Sequence, residues 1–198
     1  MATETELKLE VGDLQLLDCV LTSAQIRAVM QEDFSYIRMQ TTYFDTEDGA
    51  LSARHQSLRV RLENDRSVVT AKMAGIGHSR GEWEYEAQSP EEAIEPLIAQ
   101  GAPEELRELA KKGLVAICGA QFTRITSALL LPDGTTCELC GDLGEVFAGG
   151  KRSPICELEL ELKEGSEEQM LLFGRELMET FHLKEGKLSK FARAKMLI

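Results

Sequence analysis

Apolar and polar residues alternate with a period of two in a series of short segments. Thr5 to Val11 sets Leu7, Leu9 and Val11 against Glu6, Lys8 and Glu10, and Ser57 to Glu63 sets Leu58, Val60 and Leu62 against Arg59, Arg61 and Glu63. Val68 to Met73 sets Val69, Ala71 and Met73 against Thr70 and Lys72, while Trp83 and Tyr85 alternate with Glu82, Glu84 and Glu86. Cys156 to Lys163 sets Leu158, Leu160 and Leu162 against Glu157, Glu159, Glu161 and Lys163. Residues 39–45, 124–131 and 136–146 alternate less regularly. A period of two marks a strand with one wet and one dry face, so the pattern predicts eight strands in an antiparallel sheet or barrel.

Helical segments lie between them. Thr22 or Ser23 caps a helix through Ile26, Val29 and Met30, and Ser89-Pro90-Glu91-Glu92 is a helix start with proline and acids in the first turn. A shorter helix runs from Pro103 to Lys112. Ser166 opens a helix with Met170, Leu171, Phe173, Leu177, Met178 and Phe181 on its apolar side, and a last one covers about Ser189 to Leu197. Gly75-Ile76-Gly77 and Gly149-Gly150 mark turns. The apolar stripes of these helices need a partner, and the apolar strand faces supply it. If the strands close into a barrel wrapped by helices, the polar faces point inward. Alternation alone fits equally an open sheet with helices on one face.

The chain has 198 residues, 43% of them hydrophobic and 28% charged, which predicts one soluble domain spanning 1–198. No apolar run approaches the roughly 20 residues of a membrane span. The start Met1-Ala2-Thr3-Glu4 has neither the basic nor the apolar part of a signal peptide, so a cytoplasmic location is expected. The five cysteines include one CxxC, Cys137 and Cys140, without the second pair that a zinc site needs; reduced thiols in a strand are expected. A formal net charge of −12 argues against nucleic acid or an anionic membrane as partner.

Charge sign is segregated by strand. Strand alternation puts Glu6 with Lys8 on one face, Arg59 with Arg61, and Glu157 with Glu159 and Glu161. Any one of these strands reads as an ordinary solvated face. Together they crowd acids at Glu82/Glu84/Glu86 and Glu157/Glu159/Glu161 and bases at Arg59/Arg61 and Lys72. Like charges two residues apart repel unless a counter-ion lies between them. Gathered carboxylates suit a hard divalent cation, and paired arginines suit phosphate oxygens.

Glu4-x-Glu6-x-Lys8 resembles the ExExK signature of the CYTH superfamily, the triphosphate tunnel metalloenzymes. Further segments follow in the family's order. Tyr43-Phe44-Asp45-Thr46 resembles its YFDT segment, Leu58-Arg59-Val60-Arg61 its LRxR strand and Thr70-Ala71-Lys72 its TxK strand. Arg80-Gly81-Glu82-Trp83-Glu84 is similar to its RxExE strand and Glu157 to Glu161 to its ExExE strand. Arg124 stands where the family places a substrate arginine, Glu138 and Asp142 fall in its acidic strand, and Ser189-Lys190 resembles its closing SK segment.

The resemblance implies an α+β fold, an eight-stranded antiparallel β-barrel, or tunnel, wrapped by several helices. It implies that Glu4, Glu6, Glu157 and Glu159 coordinate Mg²⁺ or Mn²⁺, with Glu82, Glu84 and Asp142 as further acidic ligands and Glu161 positioning water. Lys8, Arg59, Arg61, Lys72, Arg124 and Lys190 would hold phosphates, and Lys8 with Tyr43 would activate the leaving group or water. The weights of Glu82 against Glu84, and of Glu138 against Asp142, stay open by one step. Asp45-Thr46 reads as turn chemistry, Trp83 as core, and Arg193 as a surface charge at a helix end.

The implied reaction is hydrolysis of inorganic triphosphate. Ser57 stands where the mammalian thiamine triphosphatases carry a tryptophan, which counts against thiamine triphosphate, and no motif supplies a purine pocket for a nucleotide or cyclase activity. A non-catalytic polyphosphate-binding module and a plain acidic interaction protein are the alternatives. The chain is too short to include the helical CHAD domain that some members append, and no pattern in it specifies an oligomeric state.

Overall fold

The computed structural model describes residues 5–74 and 80–198. Glu4 and the Gly75-Ile76-Gly77 turn lie outside the described residues. The described residues form one nine-stranded sheet in which every neighbouring pair is antiparallel. The strands are β1 (Glu6–Glu10), β2 (Ser35–Thr46), β3 (Ser57–Glu63), β4 (Arg66–Ala74), β5 (Arg80–Glu86), β6 (Leu114–Leu130), β7 (Thr136–Ala148), β8 (Lys151–Glu164) and β9 (Lys184–Glu185). Their order across the sheet is β5-β4-β3-β2-β6-β7-β8-β1-β9.

This corrects the expected eight-stranded barrel. The ladder stops at β5 on one side and at β9 on the other, so the described sheet is curled but not closed. The two-residue β9, which extends β1 through Leu9 and Glu10, has no alternating pattern to reveal it. A curled open sheet buries the same residues as a barrel, and so leaves the same alternation in the sequence.

Seven helices are described. α1 (Leu14–Leu21), α2 (Ala24–Val29) and α6 (Glu167–Phe181) cover the convex face at one end of the sheet. There Leu7, Leu9, Leu129, Leu139, Leu158 and Leu160 form one core with Leu17, Val20, Ile26, Met170 and Leu177. α6 approaches β1 so closely that a Cβ on Gly174 would stand 2.2 Å from Leu7 Cδ2. α3 (Ala50–Ala53), α4 (Pro90–Ala99) and α5 (Glu105–Lys111) cover the other end, over Leu58, Val69, Ala71 and Trp83. Trp83 thus belongs to a core, as expected. α1 and α3 are additional to the expected helices: α1 is capped by Asp13, whose carboxylate accepts from Leu16 N at 2.8 Å.

α7 (Lys190–Lys195) lies on the opposite, concave face, packing on β6, β7 and β8. Phe191, Ala194 and Leu197 join Met39, Tyr43, Ala120, Phe122, Val146 and Ile155 in a third core. Ser189 starts α7 by accepting from Ala192 N at 3.1 Å, which sets Lys190 as its first residue.

Asp45 is structural. Buried at 2% exposure, its carboxylate accepts from the backbone N–H groups of Thr46 and Leu51, each at 2.8 Å, and Ser52, at 3.0 Å. Burial would raise its pKa, but hydrogen bonds from Ser52 and from the backbone of Leu51, Ser52 and Thr46 hold it below the usual carboxylate range. The acid therefore fastens α3 to the end of β2.

Candidate active site

Strand register places the charged residues on one wall. Lys8 pairs with Glu159 across β1 and β8, and Glu6 with Glu161. Glu157 pairs with Asp142 across β8 and β7, and Asp142 with Arg124 across β7 and β6. Tyr43 and Thr41 pair with Arg59 and Arg61 across β2 and β3. Lys72 and Thr70 pair with Glu82 and Glu84 across β4 and β5. Partners opposite one another share a face, so these residues, drawn from eight strands, all face the concavity.

Three carboxylates form its buried acidic end. Asp142, Glu157 and Glu159 are 0%, 1% and 8% exposed, and one oxygen from each lies within 4.8 Å of the others. Lys190 reaches all three, with Nζ 2.6 Å from Asp142 Oδ2, 2.5 Å from Glu157 Oε1 and 3.0 Å from Glu159 Oε1. Lys8 Nζ lies 3.0 Å from Glu159 Oε1 and 3.8 Å from Glu157 Oε1. Arg124 holds Asp142 bidentately at 2.8 and 2.7 Å and donates to Glu159 Oε2 at 2.6 Å. Arg193, which reads as a surface charge in the sequence, donates to Glu157 Oε2 at 3.2 Å and also bonds the Pro154 carbonyl. No spacing signal marks it, because α7 brings it to the sheet from outside the strand pattern.

The protonation states follow from this crowding. Burial pushes the Glu159 pKa up, but Lys190, Lys8 and Arg124 outweigh it and hold the carboxyl ionised, well below its usual range. Burial likewise works against the Lys190 ammonium, and Asp142, Glu159 and Glu157 more than restore it. Three gathered carboxylates are the oxygen donor set of a hard divalent cation. Asp142, Glu157 and Glu159 therefore fit a hard divalent cation by donor chemistry.

The other end of the wall is basic. Lys72 Nζ lies 3.0 Å from Glu82 Oε2, and Arg59 Nη2 lies 3.7 and 3.8 Å from Glu82 and Glu84. Glu84 also accepts from Thr70 Oγ1 at 2.8 Å. Glu82 and Glu84 thus neutralise Lys72 and Arg59. Arg61 differs: its Nε donates to Thr41 Oγ1 at 3.2 Å, and among the described residues no carboxylate lies within ion-pair distance of it. Burial first, and then the charges of Arg59 and Arg124, push its pKa down to about 10. An arginine kept among cations without an acid has the chemistry to receive an anion.

The remaining residues fall nearby. Glu161 is held by Lys163 at 2.6 Å, and Lys163 also reaches Glu138 at 2.8 Å. Glu138 further accepts from Thr126 at 3.0 Å, so Asp142, not Glu138, enters the buried cluster. Tyr43 is 4% exposed and packs its ring on Phe191, centroids 4.7 Å apart. Cys137 is in the convex core and Cys140 faces the concavity 3.6 Å from Thr126 Oγ1, so the CxxC is split across the sheet and all five thiols are free. A cavity of about 480 Å³ opens between α3, β3 and α7, and Glu6, Tyr43, Gln56, Arg59, Lys72 and Lys187 contribute to its lining. Glu6 of β1 sharing it with Lys72 of β4 shows how far the sheet curls.

The CYTH domain model matches residues 2–194. The chain belongs to the CYTH family. The inorganic triphosphatase of Haemophilus influenzae is 26% identical over 178 residues, covering 87% of this chain and 49% of the relative. The CYTH chain described here therefore spans about half that relative's length. Among solved structures, a protein from Hippeastrum assigned as an adenylyl cyclase and described as having dominant triphosphatase activity aligns with a TM-score of 0.62. The identity is 18%, over 98% of this chain and 95% of that one. A Bacillus halodurans protein assigned as an adenylate cyclase aligns at 0.57 with 19% identity, over 96% of each chain. These two share the CYTH fold with this chain. No helix among the described residues is long and apolar enough to cross a membrane.

Proposed function

We propose that this chain hydrolyses inorganic triphosphate to pyrophosphate and phosphate with Mg²⁺ or Mn²⁺. The observation that carries the reading is Arg61, a cation without a carboxylate partner among the described residues, on the same wall as the buried acids Asp142, Glu157 and Glu159. An acidic end for a metal and a basic end for an anion, facing one space, fit a metal-bound polyphosphate. The activity of the Haemophilus relative supports the same reaction class. The cation set resolves the net charge of −12, because the anion meets local arginines and lysines instead of the mean field.

In this reading Arg59, Arg61, Lys72 and Arg124 bind the phosphate oxygens, and Lys190 follows the phosphates when they enter. Lys8 donates to the leaving pyrophosphate or orients the attacking water, with Tyr43 fixing the nearby wall and Glu161 positioning water. Glu4, Glu6, Asp142, Glu157 and Glu159 would hold the metal, which, when bound, neutralises the charge on the transferred phosphoryl group. Glu82 and Glu84 hold Lys72 and Arg59 in place at the basic end. A single domain over 1–198 suffices for this chemistry.

The test is phosphate release from tripolyphosphate with and without Mg²⁺ or Mn²⁺, run beside ATP and thiamine triphosphate. Metal-dependent release from tripolyphosphate well above the other two is expected. Tight binding without release would make the chain a polyphosphate-binding module. Neither binding nor release would leave a charged interaction surface.

A further inference from the structure

We propose that Gln56 recognises the proton-bearing, unesterified end of the phosphate chain and thereby selects inorganic triphosphate over organic triphosphates; the inference rests on the triphosphatase reading above. Three buried side-chain atoms of residues lining the cavity have no close hydrogen-bond partner among the described residues, Ser52 Oγ, the Gln56 carbonyl Oε1 and Arg59 Nε; the Ser52 hydroxyl has the Asp45 carboxylate as its acceptor, which leaves the other two. Both residues line the same cavity, and Gln56 is only 4% exposed. Buried polar atoms are nearly always satisfied, and leaving one orphaned costs free energy. Two orphans on one cavity wall therefore point to a ligand group that satisfies both.

The two atoms have opposite needs. Arg59 Nε donates and requires an acceptor, whereas Gln56 Oε1 accepts and requires a donor. An ionised phosphate oxygen satisfies the arginine and repels the carbonyl. A hydrogen phosphate meets both, offering P–O⁻ to Arg59 and P–OH to Gln56. A terminal phosphate carries such a proton up to about pH 6 in water, and an acceptor placed on the protonated form extends that range. An ester at this end replaces P–OH with P–O–C and removes the donor.

Position gives the selectivity its direction. Of the acids in the metal reading, Glu6 alone among the described residues borders this cavity; the buried cluster of Asp142, Glu157 and Glu159 does not, so the cavity takes the end of the chain away from that cluster. In a nucleotide whose free terminal phosphate reacts at those acids, the esterified phosphate falls at Gln56. The backbone that carries the amide is also held in place. Gln56 N donates to Leu51 O at 3.0 Å, and His55, at φ 56°, turns the chain into β3 immediately before it.

The experiment compares kcat/KM for tripolyphosphate and ATP in the wild type and in Gln56→Met, which keeps the volume and removes the acceptor. At pH 6.5 the tripolyphosphate value is expected to fall about tenfold, and the ATP value by less than about twofold. Equal falls on both substrates, or none, would overturn the proposal and leave water as the partner of Gln56. A melting curve shows whether the variant folds. A second measurement needs no variant: the wild-type preference for tripolyphosphate shrinks between pH 6 and pH 9 as P–OH ionises, and a flat preference overturns the proposal. Calorimetric binding of tripolyphosphate separates the two readings. If neither substrate is turned over but Gln56→Met still weakens binding about tenfold, the triphosphatase reading fails and the subsite stands.

Discussion

The ring of Phe191 lies 4.7 Å, centroid to centroid, from that of Tyr43, tilted by 35°, and this contact ties α7 to the concave face of the sheet. The same short helix carries Lys190 and Arg193, so the position of two cations in the acidic cluster depends on an aromatic contact. Phe191→Ala is expected to cost about 2 kcal/mol of stability, below the range for a fully buried phenylalanine because Phe191 is half-buried. It should also raise KM for tripolyphosphate severalfold. Chemical denaturation and steady-state kinetics measure the two effects, and a stability loss with KM unmoved would detach α7 from substrate binding.

Lys190 neutralises three acids at once, so Lys190→Met leaves uncompensated buried charge and should destabilise the protein by about 3–5 kcal/mol. Millimolar Mg²⁺ should return much of that loss, by binding the carboxylates the lysine has left. Melting curves in EDTA and in Mg²⁺ read this directly; a loss that Mg²⁺ does not touch would speak against a metal on Asp142, Glu157 and Glu159. The wild-type pH dependence has a fixed sign. Lys190 titrates above its ordinary 10.5, so its contribution is complete below that value and disappears as pH rises through the elevated one.

Arg61 shows the opposite balance. Its pKa is pushed down to about 10, so keeping it charged weakens the free protein below that pH. Arg61→Gln is expected to raise the melting temperature by a few degrees while reducing tripolyphosphate affinity at least about a hundredfold, a stability–function trade-off. In the wild type, affinity should fall as pH rises through about 10, where the free protein loses this charge. Calorimetry across that range tests it. A variant less stable than the wild type would show that Arg61 has a structural partner.

Asp45→Asn separates architecture from chemistry within the YFDT segment. The carboxylate accepts three backbone N–H bonds, so the variant should lose about 2–3 kcal/mol. KM should stay as in the wild type for the folded fraction. The Asp45 pKa lies below 3.8, so its contribution is present above that value and lost as pH falls through the lowered one. A kinetic defect without a stability defect would place Asp45 in the reaction.

Lys8→Ala probes the proposed role of this lysine in proton transfer. Turnover should fall by two orders of magnitude or more, about the effect of one acid–base group. Tripolyphosphate binding should weaken by less than about tenfold. Equal losses in kcat and in affinity would reduce Lys8 to a phosphate-binding cation.

Much of this was readable in the sequence because strand alternation is strict. The facing sets Glu157/Glu159, Arg59/Arg61 and Lys8 share the concave wall as the period of two requires. What the sequence concealed depends on elements that cross that pattern. Arg193 joins Glu157 only because α7 docks inside the curl, and Gln56 lies before the first alternating residue of β3. That the described sheet does not close is invisible for a different reason. Closure is a matter of hydrogen bonds at two distant edges, and side-chain polarity does not record it.

The edges at β5 and β9, which pair with no further strand among the described residues, give the concavity a mechanical property. In a closed barrel, strand number and stagger fix the bore, and any change in diameter must shear or break ladder hydrogen bonds. Here the walls can splay or tighten by a change of twist spread over the strands between, with every described backbone pair intact. The gap between the acidic and basic ends can therefore adjust to the length of the proposed substrate by bending, at little enthalpic cost.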